Sequence, residues 1–229
     1  MIRRIGVVVP ARDEEELIGE CLRSIGEAAG HVLPAVDVVV VADRCRDRTA
    51  EIARELGAAV IVTEQGNVGA ARAAGTAAAI VAGADWLAHT DADSIVPRDW
   101  LSVQLRAADA GADVVVGTVR PRFADLAPQQ IRAWRATHSH GESLGHVHGA
   151  NLGVRTEAYE RAGGFEPLVE HEDVELVERL RAFASIVASD AAEVTTSGRR
   201  WGRTTGGYAR YLRDDLLRLA EGTAPDLAG

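Results

Sequence analysis

The chain has 229 residues, which is enough for one large domain or two small ones with a sizeable hydrophobic core. Its formal net charge of −9 argues against broad binding to nucleic acid, so a phosphate ligand would need a local basic cluster or a metal ion. No apolar run reaches the roughly 18 residues that span a membrane, and no signal-peptide core is present. We therefore predict a cytoplasmic protein without a transmembrane segment, and peripheral membrane contact stays open.

Strands and helices alternate along the first half of the chain. Apolar runs at 5–9, 36–41, 58–63, 86–89 and 114–119 predict five strands, and the continuous run at 5–9 is typical of a strand buried on both faces. The segments between them carry apolar residues at helical spacing or are rich in alanine, which predicts helices. This alternation is typical of parallel βαβ units, so residues 1–119 are predicted to form a doubly wound, nucleotide-binding half.

The second half, residues 120–229, has a less regular pattern. It predicts helices near 129–137, 156–162 and 172–183, and short strands at 151–155, 185–188 and 193–195. Four histidines precede the first of these strands: His138, His140, His146 and His148. They are interpreted as ligands, as contacts to an acceptor or as parts of a solvated loop. No linker is long enough to separate two domains, so a single domain is predicted.

A basic, glycine-rich loop at 198–207 precedes an amphipathic segment at 208–219. Its basic cluster consists of Arg199, Arg200 and Arg203. The loop is interpreted either as a solvated surface loop or as a mobile lid over a bound diphosphate, in which the glycines would act as hinges.

Two carboxylates, Asp91 and Asp93, directly follow the fourth predicted strand. In open α/β sheets, ligands bind at the edge where the parallel strands end. An Asp-x-Asp pair in such a loop can bind Mg²⁺ or Mn²⁺ through its oxygens, while substrate phosphates and water complete the shell. The alternative is that Asp93 or Ser94 caps the helix that follows.

Motifs of this kind recur at the predicted ends of several strands, and jointly they resemble the family 2 glycosyltransferases of the GT-A fold. The motifs are Val-Val-Val-Pro-Ala-Arg-Asp-Glu-Glu at 7–15, Asp43 with Asp47 and Thr49, Gly-Ala-Ala-Arg-Ala-Ala-Gly at 69–75, Thr-Asp-Ala-Asp at 90–93, Gly-Ala-Asn-Leu-Gly-Val-Arg at 149–155, and Gly-Gly-Phe at 163–165 followed by His-Glu-Asp-Val-Glu-Leu at 171–176. The resemblance implies a mixed, mainly parallel α/β sheet flanked by helices. It also implies an inverting, metal-dependent transfer of a sugar from a nucleotide-diphosphate donor to an acceptor hydroxyl.

The same resemblance implies roles for individual residues of the donor site. Asp43 would accept a hydrogen bond from the base, Arg72 would face the base or ribose, and Asp91 would approach the ribose. Asp93, with support from Asp91, would bind the Mg²⁺ or Mn²⁺ that bridges the diphosphate. The remaining residues expected at the donor are Pro10, Arg12, Glu14 and Asn151.

An inverting transfer also needs a base for the acceptor hydroxyl. Asp173 matches the base position of the family's Glu-Asp motif, and Glu172 would contact the acceptor or orient the base. The alternative is that both residues only cap the helix that begins there. His171 is interpreted either as a metal ligand or as a residue at the helix N-terminus. Residues 120–229 are predicted to bind the acceptor.

The chain departs from the family at one motif, and other protein classes share parts of its pattern. Many members carry Asp-Asp-Gly-Ser after the second strand, where this chain has Ala-Asp-Arg-Cys at 42–45, so the identity of the nucleotide stays open. A nucleotidyltransferase normally has a glycine-rich, basic loop after the first strand, whereas this loop is acidic and lacks glycine. A non-catalytic nucleotide-sugar binding module would be favoured if the Glu172-Asp173 pair were missing, and the pair is present. No Gly-x-Gly-x-x-Gly follows the first strand, which argues against a Rossmann dehydrogenase.

Overall fold

The computed structural model describes residues 1–138, 147–203 and 206–220. His140 and His146 lie outside the described residues, so the roles predicted for them stay open.

Within these residues the strands form one eight-stranded sheet with the order β3-β2-β1-β4-β7-β6-β8-β5. The strands are β1 (Arg4–Ala11), β2 (Ala35–Asp43), β3 (Ala59–Thr63), β4 (Trp86–His89), β5 (Ser94–Ile95), β6 (Val114–Pro121), β7 (Leu152–Arg155) and β8 (Ile186–Thr196). Parallel pairs join β1 to β2 and β4, β2 to β3, and β6 to β8. This arrangement confirms the predicted mixed, mainly parallel α/β sheet.

The antiparallel strand β7 lies between β4 and β6, a position that the sequence pattern does not reveal. The five strands predicted in the first half are all present, but β6 is separated from the other four by β7. Gly153 makes this insertion possible, because a Cβ at that position would lie 2.5 Å from the Gln104 side chain and 2.7 Å from the Trp86 ring. The side chains of Trp86 and Gln104 can therefore pack directly against the β7 backbone.

Two strand predictions in the second half need correction. Residues 186–188 and 193–195 do not form separate strands but belong to the single strand β8, whereas Ser185 precedes it. The pairing of β8 with β6 shifts register between Gly117 and Val119. The short strand β5 is not predicted at all. It is held against β8 by its ladder and by a hydrogen bond of 2.9 Å between the hydroxyls of Ser94 and Thr196. These contacts position the end of the Asp-x-Asp loop.

Helices cover both faces of the sheet. They are α1 (Ile18–Ala29), α2 (Thr49–Glu55), α3 (Val68–Val81), α4 (Trp100–Asp109), α5 (Pro128–Thr137), α6 (Thr156–Arg161), α7 (Glu172–Leu180), α8 (Gly207–Arg210) and α9 (Leu216–Ala220). A π-helical turn at Tyr211–Asp215 joins the last two, and short 3₁₀ turns lie at Phe123–Asp125 and Gly149–Asn151. The helix predicted at 172–183 ends earlier, at Leu180. None of the helices in the described ranges is long and apolar enough to cross a membrane.

Apolar side chains alternate between the two faces of the sheet. In β1, Val7 and Val9 enter the core on one face and Val8 enters the core on the other. A third, smaller cluster packs Leu212 and Leu216 against α5. This cluster ties the C-terminal helical segment to the rest of the fold, and it places that segment beside the edge where the parallel strands end.

Candidate active site

A cleft with a volume of about 1280 Å³ opens at the edge where β1, β2 and β4 end. It exceeds the roughly 300–1,000 Å³ that is usual for a small-molecule site, so it has room for two ligands at once. Nine of the ten predicted site residues line it: Pro10, Arg12, Glu14, Asp43, Arg72, Asp91, Asp93, Glu172 and Asp173. The side chain of Asn151 is not part of the lining.

Arg72 joins two of the acidic motifs. Its side chain is 3% exposed and forms ion pairs with Glu172 (Nε to Oε1, 2.9 Å) and with Asp91 (Nη2 to Oδ1, 2.6 Å). Burial acts to lower the pKa of Arg72, but Asp91 and Glu172 outweigh it and raise that pKa. The guanidinium that was expected to face the base or ribose is thus engaged by the protein's own carboxylates. Asp91 retains 37% exposure, so its carboxylate still faces the cleft.

Asp93 lies deeper than Asp91 and is surrounded by polar groups of β8 and the loop after it. Its carboxylate accepts a hydrogen bond from the Thr196 hydroxyl at 3.2 Å and contacts Arg199 at 2.9 Å. Burial raises the pKa of Asp93 to about 6; nearby Asp91 and Glu14 act in the same direction, and Arg199 opposes them. A cation at this carboxylate therefore favours its ionised form.

Glu14 receives two arginines from the basic loop. Its carboxylate is buried and accepts hydrogen bonds from Arg199 at 2.7 Å and from Arg203 at 3.1 Å. Arg203 also donates to the carbonyl oxygen of Asp13, whereas Arg200 is exposed. The basic loop therefore lies across the acidic end of the cleft.

Asp43, at the end of β2, is held in place by hydrogen bonds to both of its carboxylate oxygens. Oδ1 accepts from the Thr63 hydroxyl at 3.0 Å, and Oδ2 accepts from the Asn67 backbone N–H at 2.9 Å. Burial opposes ionisation, but hydrogen bonds from Gly66, Thr63 and Asn67 lower the pKa of Asp43 below its ordinary value. Asp43 is therefore a fixed, ionised acceptor at the wall of the cleft.

Glu172 and Asp173 begin α7 but face different partners. Burial raises the pKa of Glu172, whereas Arg72 acts to lower it. The Asp173 carboxylate instead accepts the Gly149 N–H at 2.5 Å. His171, just before them, adopts a left-handed backbone conformation with φ of 65° at the exposed N-terminus of the helix. Within the pair, the more accessible carboxylate is that of Asp173.

Aromatic rings line another part of the cleft. Among them, His138 and His148 were named from the sequence, whereas Trp134, Tyr208 and Tyr211 were not. Trp134 stacks on His138 with ring centroids 4.3 Å apart, and Tyr208 stacks on Tyr211 at 5.8 Å. His148 contacts Tyr208 edge-on at 6.1 Å. These residues come from segments far apart in the chain, and the packing of α5 against the C-terminal helices brings Trp134, His138, Tyr208 and Tyr211 together.

A second group of acidic and thiol side chains lies beside the cleft. Within the described ranges, Asp13, Cys45 and Asp47 place one ligand atom each within 4.8 Å of one another. Their atoms are used internally: Asp13 accepts from the Arg46 N–H, and Asp47 accepts from Thr49. We interpret this group as structural, because its hydrogen bonds hold the loop after β1 against the loop after β2.

Asn151 has a structural position below the cleft. Its Oδ1 accepts from the Trp100 indole at 2.9 Å, and its Nδ2 donates to the carbonyls of Thr118 (2.9 Å) and Ala192 (2.8 Å). The side chain is buried and joins α4, β6 and β8. The motif that contains Asn151 does reach the cleft, through Gly149 and Ala150.

We expect Asn151→Leu to lower the free energy of unfolding by at least about 2 kcal/mol, because each buried polar group left unpaired costs about 1–3 kcal/mol. Urea unfolding measures this loss, and Gln129→Leu, which replaces an exposed amide, is the matched control. If the free energy of unfolding of Asn151→Leu equals that of the control and nucleotide binding is weaker, Asn151 acts in the donor site instead.

The chain has the GT-A fold of glycosyltransferases, as the motifs indicated: a doubly wound sheet carries acidic residues at the edge where its parallel strands end. The chain belongs to glycosyl transferase family 2, whose family model matches residues 6–162. The dolichyl-phosphate hexose transferase of Haloferax volcanii is 31% identical over 160 residues, which are 69% of this chain and 66% of that relative.

Solved structures with low identity share the fold. Staphylococcus aureus TarS 1-349 in complex with UDP-GlcNAc superposes with a TM-score of 0.66 at 18% identity, covering 98% of this chain and 68% of that one. The mannosyltransferase PcManGT of Pyrobaculum calidifontis, in complex with GDP-Man and Mn²⁺, gives 0.64 at 22% identity, covering 96% and 63%. The chain thus spans about two thirds of the length of these solved chains.

Proposed function

We propose that the chain transfers a sugar from a nucleotide-diphosphate donor to an acceptor hydroxyl, in a metal-dependent reaction that inverts the anomeric carbon. The observation that carries this proposal is that one cleft is lined by the Asp91-Asp93 pair and by Asp173. The Asp91-Asp93 pair is suited to bind a cation that contacts the leaving diphosphate. Asp173 is suited to act as the base for the acceptor hydroxyl.

The metal would be held by Asp93, with support from Asp91. Carboxylate oxygens are the ligands that Mg²⁺ and Mn²⁺ prefer. The Asp93 carboxylate already contacts a positively charged group, the Arg199 guanidinium, so its surroundings accept a cation. A bound metal would supply Lewis-acid stabilisation of the leaving diphosphate. PcManGT, which shares the fold, was solved with Mn²⁺ and GDP-Man.

The donor nucleotide would lie against the loop after β1 and the end of β2. Pro10, Arg12 and Glu14 supply the first wall, and Asp43 supplies a charged acceptor. Arg72 would act on the donor through Asp91, whose carboxylate it holds in place at 2.6 Å. Fixing that carboxylate would orient it toward the ribose without loss of side-chain entropy on binding.

We expect Asp43→Asn to reduce discrimination among nucleoside diphosphates by roughly tenfold or more, because a hydrogen bond to a charged acceptor contributes about 1.5–3 kcal/mol. Calorimetry with UDP, GDP, ADP and CDP in the presence of Mn²⁺ measures this. Asp37→Asn, on the same strand but paired with Arg4, is the control. If both variants rank the four nucleotides as the parent does, Asp43 is only a turn residue.

Asp173 would remove the proton from the acceptor hydroxyl as that oxygen attacks the anomeric carbon. The Gly149 N–H fixes one carboxylate oxygen, which would orient the carboxylate. Glu172 would hold Arg72 rather than contact the acceptor, because its carboxylate is buried against that arginine. The acceptor would bind in the half formed by residues 120–229, where the rings of Trp134, Tyr208 and Tyr211 offer flat apolar surfaces.

A panel of nucleotide sugars tests this proposal by thermal stabilisation. A ligand at 100 times its Kd should stabilise the fold by about 2.7 kcal/mol. We expect at least one nucleotide sugar to raise the melting temperature with Mn²⁺ present, and we expect EDTA to remove the effect. Stabilisation that is the same in EDTA would contradict the metal dependence.

A further inference from the structure

Arg199 occupies the position at Asp93 where a metal ion would bind. Its guanidinium bridges Asp93 Oδ2 at 2.9 Å and Glu14 Oε1 at 2.7 Å. Both carboxylates are largely buried, with side-chain exposures of 12% and 5%. The arginine thus neutralises the most buried part of the acidic edge.

A divalent cation and this guanidinium compete for the same oxygen. Metal–oxygen distances for Mg²⁺ are about 2.0–2.1 Å, so an ion bound to Asp93 Oδ2 would lie close to a guanidinium that contacts the same atom. Two positive centres that close repel strongly in a partly buried site. One of them must leave, and the arginine is the mobile partner because it stands on a loop.

The contacts of the basic loop are of two kinds. Backbone contacts hold its beginning: the Ser197 N–H donates to the Asp93 carbonyl at 3.1 Å, and the Gly198 N–H donates to Asp125 at 2.9 Å. Further along the loop, the Arg200 carbonyl accepts from Arg213 at 3.1 Å and the Gly206 N–H donates to Glu170 at 2.6 Å. The contacts with Glu14, Asp93 and the Asp13 carbonyl, in contrast, are made by the side chains of Arg199 and Arg203. The arginines can therefore exchange partners while the base of the loop stays in place.

We infer that Arg199 is the resident cation of the Asp93 carboxylate in the unliganded protein, that a divalent cation displaces it, and that the released Arg199 and Arg203 bind the diphosphate of the donor. This inference rests on the proposed function. In this exchange Asp93 exchanges a guanidinium for a divalent ion, and the guanidiniums of Arg199 and Arg203 exchange the Glu14 carboxylate for phosphate oxygens. The second positive charge of the ion offsets part of the positive charge that leaves Glu14. Arginine suits the second step because its planar fork matches phosphate oxygens.

The inference predicts opposite effects on two ligands in one variant. Arg199→Gln should bind Mn²⁺ alone roughly tenfold more tightly than the parent, a difference of about 1.4 kcal/mol, because the competitor is gone. With Mn²⁺ saturating, the same variant should bind UDP and GDP roughly tenfold more weakly, because a phosphate contact is lost. The free Mn²⁺ signal in electron paramagnetic resonance measures the first, and calorimetry measures the second.

Arg200→Gln is the matched control, because Arg200 is adjacent to Arg199 and exposed. Its contact with Arg213 is made by its backbone carbonyl, which the substitution keeps. It should match the parent in both measurements. If Arg199→Gln binds Mn²⁺ no more tightly than the parent, the inference is wrong, although the proposed function stands. A parent chain that binds no Mn²⁺, with or without UDP or GDP, overturns both.

Limited trypsin digestion of the unmutated protein provides a test that does not depend on the folding of a variant. Mn²⁺ alone should speed cleavage after Arg199 and Arg203, because both side chains are released from the cleft. Mn²⁺ with UDP or GDP should slow it again as the arginines bind the diphosphate. Cleavage after these residues at one rate in all three conditions would contradict the exchange.

Discussion

Asp173→Asn should lower kcat by about 10²–10⁴-fold, because general-base catalysis typically contributes that much. The asparagine keeps an oxygen that can accept the Gly149 N–H, so the fold and the affinity for donor and metal should change little. Steady-state kinetics with a fixed donor and acceptor, together with calorimetry on the donor, separates the two quantities. A fall in kcat at unchanged donor affinity is the signature of a group needed only for the chemical step.

The matched control for Asp173 is Glu175→Gln, which removes another carboxylate from the first turn of α7 at an exposed position. Asp173→Asn and Glu175→Gln each remove one negative charge from the first turn of α7, so the favourable interaction with the helix dipole falls to a similar degree in both variants. Only Asp173→Asn should lose activity. If it instead melts earlier and turns over normally, Asp173 is a helix cap, and His148 or His171 becomes the next base to test.

Asp93→Asn should reduce nucleotide affinity in Mn²⁺ to the level that the parent shows in EDTA. Loss of a residue that merely supports a metal ligand typically costs roughly 10–100-fold in metal affinity, so loss of the ligand itself should cost at least as much. Asp99→Asn, an exposed position before α4, is the control. Calorimetric titration of UDP and GDP with and without Mn²⁺ measures the affinities. If the Asp93→Asn variant binds them in Mn²⁺ as tightly as the parent does, Asp93 is not a metal ligand.

The parts of the site that follow strand ends could be predicted from the sequence. Continuous apolar runs mark strands buried on both faces, and the residues after them meet at one edge because the strands are parallel. Glu14, Asp43 and Asp93 were identified in this way, and all three line the cleft. A resemblance carried by several motifs added Asp173, whose position at the N-terminus of α7 is as expected.

Other features depend on contacts between distant segments and left no local pattern. Asn151 belongs to one of the motifs, yet its amide is hydrogen-bonded to Trp100 and to two carbonyls that lie 33 and 41 residues away in sequence. The pairing of Arg199 with Glu14 spans 185 residues. Spacing and periodicity describe neighbours along the chain, and they cannot indicate which of several arginines closes over a particular carboxylate.

The most direct test of the central claim is to identify the nucleotide product formed from a panel of nucleotide sugars, with a panel of hydroxyl acceptors present. We expect a nucleoside diphosphate to be released with Mn²⁺, release to stop in EDTA, and release to return when excess Mn²⁺ is added. Formation of a nucleoside monophosphate and a sugar phosphate, or release that is equally fast in EDTA, would contradict a metal-dependent glycosyl transfer.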